Sequence, residues 1–286
     1  MRISARRRAE MGMVSGYSES SQPDFNIRGQ FQDVVQIGSG EPLVLLPGLA
    51  GSWKLMYPLA KRLARKHLVI IPTLRGDSNP LSAHKPKEIA DLSEDLGLTI
   101  EALGLERPLV MGVSFGGAIA LEYAVDNPGK LGGLLLYGVD SSFRMGLAAS
   151  IAQRVLERFP LPSDNRFVNQ FFNVLHGCKP EPGPLTDFIV ERCWETDQAV
   201  MAHRLGLLEK FDVSDRLWRV ETPTLVLAGT RDVVVPLARQ RELARAIGGA
   251  NFEAIEGAGH VGFLTHRLEV AKQMAQFTRQ VRRMYC

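Results

Sequence analysis

The chain contains few cysteines, no long apolar run and little excess charge. Its three cysteines are an odd number, and a chain of 286 residues needs no disulfide bonds to build a core. We therefore expect free thiols, a reducing compartment and a cytoplasmic location. No segment reaches the roughly 20 consecutive apolar residues of a membrane-spanning helix. The sequence thus predicts no membrane span and excludes a disulfide-stapled scaffold.

The charge balance argues against nucleic acid as a partner. The chain has 34 Lys and Arg residues against 31 Asp and Glu residues, a net charge of +3, and the basic residues are scattered rather than aligned in a stripe. Metal-ligand spacing such as H-x-x-x-H is also missing at His67, His84, His176 and His203. We therefore expect no bound metal.

The first two dozen residues differ in character from the rest. Four arginines, at positions 2, 6, 7 and 8, precede a Ser- and Gly-containing stretch that lacks the apolar segment of a secretory signal. We predict that residues 1–24 form a flexible tail, with an arginine-rich organellar transit peptide as the alternative. Twin-arginine export is disfavoured because residues 12–16 cannot serve as its apolar core.

Apolar runs typical of strands alternate with helical patterns along most of the chain. This alternation predicts an α/β fold with a mostly parallel sheet and helices on both faces. With 45% hydrophobic residues the chain can bury one large core, and folds of this class commonly form one domain with an insertion. The predicted core comprises residues 25–140 and 218–286. Two runs near its start, 34–37 and 43–46, are expected to pair as a hairpin that opens the sheet.

The alternation breaks between residues 141 and 217, where only helical patterns occur. Prolines separate four predicted helices in this segment, at 148–159, 165–175, 188–194 and 197–210. We predict that residues 141–217 form a helical cap, inserted between two strands of the core.

The most informative segment is the pentapeptide Gly112–Gly116, which joins a buried strand to a helix. Ser114 stands at the junction, where so sharp a turn forces a strained backbone and requires small neighbours. A G-x-S-x-G pattern in this setting is typical of a nucleophile elbow, which lifts a serine hydroxyl above the sheet at the positive end of a helix. Ser114 is therefore the candidate nucleophile.

An elbow serine needs a base and an acid that orients the base, and on this fold the acid precedes the base in the chain. Asp232 follows a buried strand, at the sheet edge where catalytic groups collect. His260 stands on a glycine-rich loop after the next short strand. We predict Asp232 as the acid and His260 as the base, with Asp140, at the end of the preceding strand, and His266, at the start of the last helix, as alternatives.

These motifs resemble the α/β-hydrolase superfamily, in its capped esterase, lactonase and carbon–carbon hydrolase branch. The resemblance runs from about residue 38 to residue 277 and implies an oxyanion hole formed by the backbone N–H groups of Leu49 and Phe115. Many members have a histidine where this chain has Pro47, which has no side-chain donor to brace the loop. The loop at 74–80 is also shorter than the R-G-x-G-x-S turn common in the family, so the substrate contacts of that turn are not carried over to this chain.

The resemblance further implies that the predicted cap covers the site and supplies much of a substrate pocket. Four of its aromatic side chains are pocket candidates, although packing of the cap onto the sheet is the favoured alternative for each. They are Phe167, Phe171, Phe172 and Trp194.

The function implied is that of a serine hydrolase without metal or organic cofactor. It would cleave carboxylic esters, or lactones or thioesters, of small to medium apolar substrates through an acyl-enzyme. One alternative is hydrolysis of a carbon–carbon bond in a diketone with the same triad, and another is a non-catalytic receptor on a hydrolase scaffold. Neither the substrate nor the oligomeric state is marked by a pattern in the sequence.

Overall fold

The computed structural model describes residues 34–75, 85–143 and 173–285. Several predictions fall outside these ranges: the tail at 1–24, the cap helix at 148–159, most of the cap helix at 165–175, and most of the loop at 74–80. The described residues form one seven-stranded sheet flanked by helices.

The sheet is mostly parallel, which confirms the predicted fold class. Its strands lie in the spatial order β1-β3-β2-β4-β5-β6-β7, and only β1 runs antiparallel to its neighbour. The strands are β1 (Val34–Gly38), β2 (Glu41–Leu46), β3 (His67–Pro72), β4 (Leu109–Val113), β5 (Gly133–Tyr137), β6 (Thr224–Gly229) and β7 (Asn251–Ile255).

The prediction that β1 and β2 pair as a hairpin is wrong. Instead, β3 lies between them and pairs with both. The short link that joins β1 to β2 lies against the turn that leads into β3. This packing brings β3 between the two strands. A Cβ atom on Gly38 would lie 2.4 Å from the carbonyl oxygen of Ala64, and Gly38 has a φ of +88°. Glycine permits both this backbone conformation and this close approach.

Helices cover both faces of the sheet, as predicted. Along each central strand alternate side chains enter opposite cores, because successive residues of a strand point to opposite faces. Val44 and Leu46 of β2 pack in one core, whereas Leu43 and Leu45 pack in the other. The helices are α1 (Trp53–Leu63), α2 (Ile89–Ala102), α3 (Phe115–Asp126), α4 (Pro184–Cys193), α5 (Gln198–Lys210), α6 (Leu237–Ala246), α7 (Gly262–Thr265) and α8 (Arg267–Tyr285).

The part of the predicted cap that is described contains α4 and α5, which lie in the chain between β5 and β6. Helix α4 packs on α1, and α5 packs on α3. Both helices that they contact begin after the carboxyl end of a central strand, α1 after β2 and α3 directly after β4.

Among the described residues no helix is long and apolar enough to cross a membrane. Cys178 is an exposed free thiol and Cys193 a buried one. Burial raises the pKa of the Cys193 thiol to about 12, so this thiol is chemically inert at neutral pH.

Candidate active site

Ser114 occupies a strained turn between β4 and α3. Its φ of +50° and ψ of −114° lie in a region that residues with a side chain seldom adopt, at a cost of roughly 1–3 kcal/mol. The residue is the N-cap of α3, so its hydroxyl lies at the positive end of the helix dipole. The strained conformation matches the nucleophile elbow predicted from the sequence.

The neighbouring glycines let this turn close. A Cβ atom on Gly112 would lie 2.5 Å from the carbonyl oxygen of Gly116, and one on Gly116 would lie 2.5 Å from the carbonyl oxygen of Leu46. Any side chain at either position would push the elbow away from β4 or from the end of β2. The pattern G-x-S-x-G is therefore a steric requirement of the turn.

The structure brings Ser114, His260 and Asp232 into one chain of hydrogen bonds. His260 Nε2 lies 2.8 Å from Ser114 Oγ, and His260 Nδ1 lies 2.9 Å from Asp232 Oδ2. His260 is 6% exposed and Asp232 is 5% exposed, so bulk water competes little for either contact. In this arrangement Nδ1 donates to the carboxylate, which leaves Nε2 free to accept the serine proton.

The alternative acid and base lie elsewhere. The Asp140 carboxylate accepts a hydrogen bond from Arg239 Nε at 2.8 Å and another from the backbone N–H of Ser141 at 2.7 Å. His266 directly precedes α8, and its Nδ1 lies 2.9 Å from Thr265 Oγ1. Neither residue belongs to the hydrogen-bonded chain that ends at Ser114.

The loop after β2, residues 47–51, runs beside Ser114. A Cβ atom on Gly48 would lie 3.6 Å from Ser114 Cβ, and a hydrogen bond of 3.0 Å from the N–H of Gly51 to the carbonyl of Gly48 closes the loop as a turn. On the other side of Ser114, Phe115 begins α3, where backbone N–H groups have no partner inside the helix. The two segments predicted to supply oxyanion donors thus flank the same hydroxyl.

A sequence profile of the alpha/beta hydrolase family matches residues 43–273, a range that includes the elbow, Asp232 and His260. The chain belongs to the alpha/beta hydrolase family. The resemblance read from the motifs is therefore confirmed, and the protein is a hydrolase.

The relatives of this hydrolase differ in length and in the activities that their names state. The pimeloyl-[acyl-carrier protein] methyl ester esterase of Stenotrophomonas maltophilia is 31% identical over 84% of this chain and 93% of its own length. The polyketide synthase ThaQ of Burkholderia thailandensis is 29% identical over 83% of this chain, which spans only 12% of that protein. Among solved structures, the esterase EaEST from Exiguobacterium antarcticum superposes with a TM-score of 0.77 at 22% identity, covering 88% of this chain and 98% of its own. This last similarity shows the fold alone.

Gln240 is a buried residue beside the candidate acid that was not predicted from the sequence. Gln240, on α6, is fully buried, and its amide Nε2 donates to Asp232 Oδ2 at 3.4 Å and to the carbonyl of Val235 at 2.7 Å. Its Oε1 accepts from the backbone N–H of Gly138 at 3.2 Å. Helix α6 was itself not predicted, although Leu237, Leu243 and Ala244 have helical spacing after Pro236. This spacing, which follows the strand before Asp232, is the sequence signal that could have placed Gln240 near the candidate acid.

Asp232 is held from the other side by its own loop. The backbone N–H groups of Val234 and Val235 donate to Asp232 Oδ1 at 3.0 and 2.9 Å, so both carboxylate oxygens have partners. Four donors in total converge on this carboxylate, from the two valines, Gln240 and His260. The acid is therefore oriented with one oxygen, Oδ2, facing the imidazole.

Tyr137 anchors the loop that carries His260. The buried Tyr137 hydroxyl donates to the carbonyl of Gly259 at 2.7 Å, and burial raises the pKa of this phenol above its ordinary value. The group therefore stays a neutral donor at every working pH. Gly138, with a φ of +65°, follows it; a Cβ atom there would lie 2.9 Å from His260 Cε1, so a side chain would displace the ring.

Of the four aromatic pocket candidates only Trp194 lies within the described residues. It is partly buried and packs against the same apolar cluster as Met56 and Ile189. This packing onto the core is the role that the sequence analysis favoured for Trp194 over substrate contact. Phe167, Phe171 and Phe172 lie outside the described part of the chain, and a pocket role for any of the four stays a prediction.

Within residues 34–75, 85–143 and 173–285, no cluster of three or more histidine, cysteine or acidic side chains could hold a metal ion. The candidate nucleophile, base and acid are hydrogen-bonded to one another. A serine, a histidine and an aspartate in this arrangement can carry out acyl transfer.

Proposed function

We propose that this hydrolase cleaves carboxylic esters, or lactones or thioesters, of small to medium apolar substrates through an acyl-enzyme on Ser114. The observation that carries the proposal is the hydrogen-bonded chain from Ser114 through His260 to Asp232. The relative named as a methyl ester esterase supports a carboxylic ester as the substrate.

In the first half of the reaction Ser114 Oγ attacks the acyl carbonyl carbon. His260 Nε2, 2.8 Å away, accepts the hydroxyl proton, and the imidazolium that forms is stabilised by Asp232 through Nδ1. The negative charge that develops on the carbonyl oxygen is bound by the N–H groups of Leu49 and Phe115. His260 then gives its proton to the leaving alcohol, and the ester bond breaks.

In the second half water releases the acyl group. His260 takes a proton from the water, whose oxygen attacks the acyl carbon, and the proton passes to Ser114 Oγ as the acyl bond breaks. The serine proton leaves with the alcohol and a proton from water replaces it, so the enzyme returns to its starting state and needs no metal or organic cofactor. Buried donors around Asp232 keep the imidazole tautomer the same in both halves.

The preference for small to medium acyl groups rests on the predicted cap, residues 141–217. Its described helices α4 and α5 pack on α1 and on α3, the elbow helix, respectively. An enclosed pocket has a limited volume, whereas an uncovered cleft would admit extended chains. We therefore expect kcat/KM to peak for short acyl chains.

The decisive experiment is a turnover panel of p-nitrophenyl esters of increasing acyl length, measured beside a lactone, a thioester and a vinylogous diketone. The Ser114→Ala protein serves as the control for uncatalysed hydrolysis. We expect kcat/KM to peak near acetyl to hexanoyl and to fall steeply by palmitoyl.

Each of the other outcomes would indicate a different function for this protein. A rise toward long chains with activation at a lipid interface would indicate a lipase. Turnover of the diketone alone would indicate carbon–carbon bond hydrolysis. No turnover of any compound, with saturable binding of one of them, would indicate a receptor.

A further inference from the structure

We propose that Arg204 and Thr196, two buried side chains of the predicted cap, are positioning residues that hold the oxyanion loop in place. The proposal rests on the proposed function, since it concerns how Leu49 and Phe115 come to point at the same oxygen. It adds a role for the cap beyond shaping a pocket.

Arg204 contacts both residues that are proposed to bind the oxyanion. It lies on α5 and is 2% exposed, and its Nη1 donates to the carbonyl oxygen of Leu49 at 2.9 Å. Its guanidinium carbon also lies 5.4 Å from the centre of the Phe115 ring, a cation–π contact. One side chain thus bridges the loop after β2 and the first residue of α3.

Thr196 makes a second contact from the same side. It lies between α4 and α5, is 7% exposed, and its Oγ1 donates to the carbonyl oxygen of Ala50 at 3.2 Å. Two consecutive carbonyls of the loop, those of Leu49 and Ala50, are therefore bound by the cap. Because peptide units are planar, holding these two carbonyls limits rotation of the loop about its backbone bonds.

Arg204 and Thr196 hold the part of the loop that lies furthest from the elbow. The start of the loop packs against Gly116, and the hydrogen bond from Gly51 to Gly48 closes the turn within the loop without joining its tip to α3. Pro47, which leads into the turn, has neither a backbone N–H nor a side-chain donor. A charged donor compensates well here, since a hydrogen bond from a cation is shorter and stronger than one between neutral groups.

The position of the loop matters because oxyanion donors act only at short range. Stabilisation requires each N–H to lie about 2.7–3.1 Å from the position that the developing oxyanion occupies. A tilt that withdraws Leu49 weakens the transition state more than the bound substrate, whose carbonyl carries less charge. The loss of Arg204 should therefore lower kcat and leave KM nearly unchanged.

The test compares two pairs of variants in the full chain. Arg204→Met removes the donor and the charge at similar length, and Arg204→Lys restores a cationic donor. Thr196→Val removes the hydroxyl at constant shape, and Thr196→Ser restores it. For each we measure kcat and KM with p-nitrophenyl acetate, the pH profile of kcat/KM, and Ki for an alkyl trifluoromethyl ketone, whose adduct with serine places an oxyanion between the same donors.

For Arg204→Met we expect kcat to fall about 30-fold, less than the ~10²–10³-fold loss of a whole oxyanion donor. The Ki of the ketone should rise by the same factor, KM should stay within about twofold, and the pH profile should not move, because the pair of His260 and Asp232 is intact. Thr196→Val should lower kcat and raise the Ki of the ketone by about fivefold each. Arg204→Lys and Thr196→Ser should recover most of the activity and ketone affinity that the other two variants lose. Lys210→Met is the matched control: it removes an exposed cation from the same helix and should match the unaltered chain.

An Arg204→Met protein with unchanged ketone affinity, or with a raised KM alone, would overturn the proposal while leaving the proposed function intact. If that variant does not fold, unchanged kcat and Ki in a folded Thr196→Val protein would overturn it equally. An unaltered chain that neither hydrolyses esters nor reacts with a fluorophosphonate would instead overturn the proposed function, and this inference with it.

Discussion

Replacing Asp232 by asparagine tests the candidate site most sharply, because the structure determines how the new side chain must lie. The N–H groups of Val234 and Val235 both donate to Oδ1. An asparagine must keep its carbonyl oxygen at that position, since its NH₂ group would place hydrogens against two donors. The NH₂ group of the variant therefore takes the position of Oδ2.

At that position the NH₂ group faces His260 Nδ1, which lies 2.9 Å from Oδ2 in the structure. Nδ1 must then accept a hydrogen bond, so the imidazole carries its proton on Nε2, toward Ser114. An Nε2–H cannot take the serine proton, and the base is disabled although its position is unchanged. In a serine protease the equivalent change costs about 10⁴ in kcat, which corresponds to about 5 kcal/mol.

The matched control is Asp140→Asn. Asp140 is paired with Arg239, and among the described residues no hydrogen bond or ion pair joins it to His260, so we expect kcat to change less than about threefold. The assay is the initial rate with p-nitrophenyl acetate from pH 6 to pH 9, with circular dichroism to show that both variants are folded. A large loss in Asp140→Asn with near-normal activity in Asp232→Asn would refute the assignment of the acid.

Four further outcomes are expected. Ser114→Ala should abolish fluorophosphonate labelling and reduce kcat by several orders of magnitude, and a folded variant that keeps more than about a tenth of kcat would remove Ser114 from the mechanism. Gln240→Leu leaves buried backbone groups without a partner and should lower the free energy of unfolding by about 1–3 kcal/mol, measured by urea denaturation; it should also lower kcat, because Asp232 loses a donor. Arg75→Met strands the buried Asp95 carboxylate, to which Arg75 Nε donates at 3.0 Å, and should cost about 3–5 kcal/mol. Burial raises the pKa of Asp95 and Arg75 lowers it, so without Arg75 the folded state holds the proton to still higher pH than the unfolded state does; the stability of this variant should therefore fall as pH rises above the ordinary carboxyl range, and equal stability at pH 4 and pH 8 would contradict the account. Dialysis against EDTA should leave the esterase rate unchanged.

The family and the elbow could be predicted from the sequence because their signals are local. Gly112, Ser114 and Gly116 lie within five residues, and the sterics of one turn determine which residue types they must be. The central strands of the parallel sheet are equally readable, since burial on both faces makes each a continuous apolar run. Asp232 could be named because it follows such a strand, and His260 because it stands on a glycine-rich loop after the short, more exposed strand β7.

The pairing of β1 could not be predicted in the same way. Two short runs separated by glycine favour a hairpin locally, yet β1 pairs with β3, which lies about 30 residues further along the chain. In the structure Gly38 lies against the turn that joins α1 to β3, a contact between distant segments that no local pattern records.

The sequence by itself determined the family, the fold class and the three residue types at the centre of the site, because each is encoded in a short pattern whose spacing follows from backbone geometry. Only the tertiary structure decided which groups support them. Gln240 reaches Asp232 from a helix that was not predicted, Arg204 reaches Leu49 across 155 positions, and Thr196 reaches Ala50 across 146. Such contacts depend on where packed helices place buried polar side chains. The spacing of residues along the chain does not contain this information.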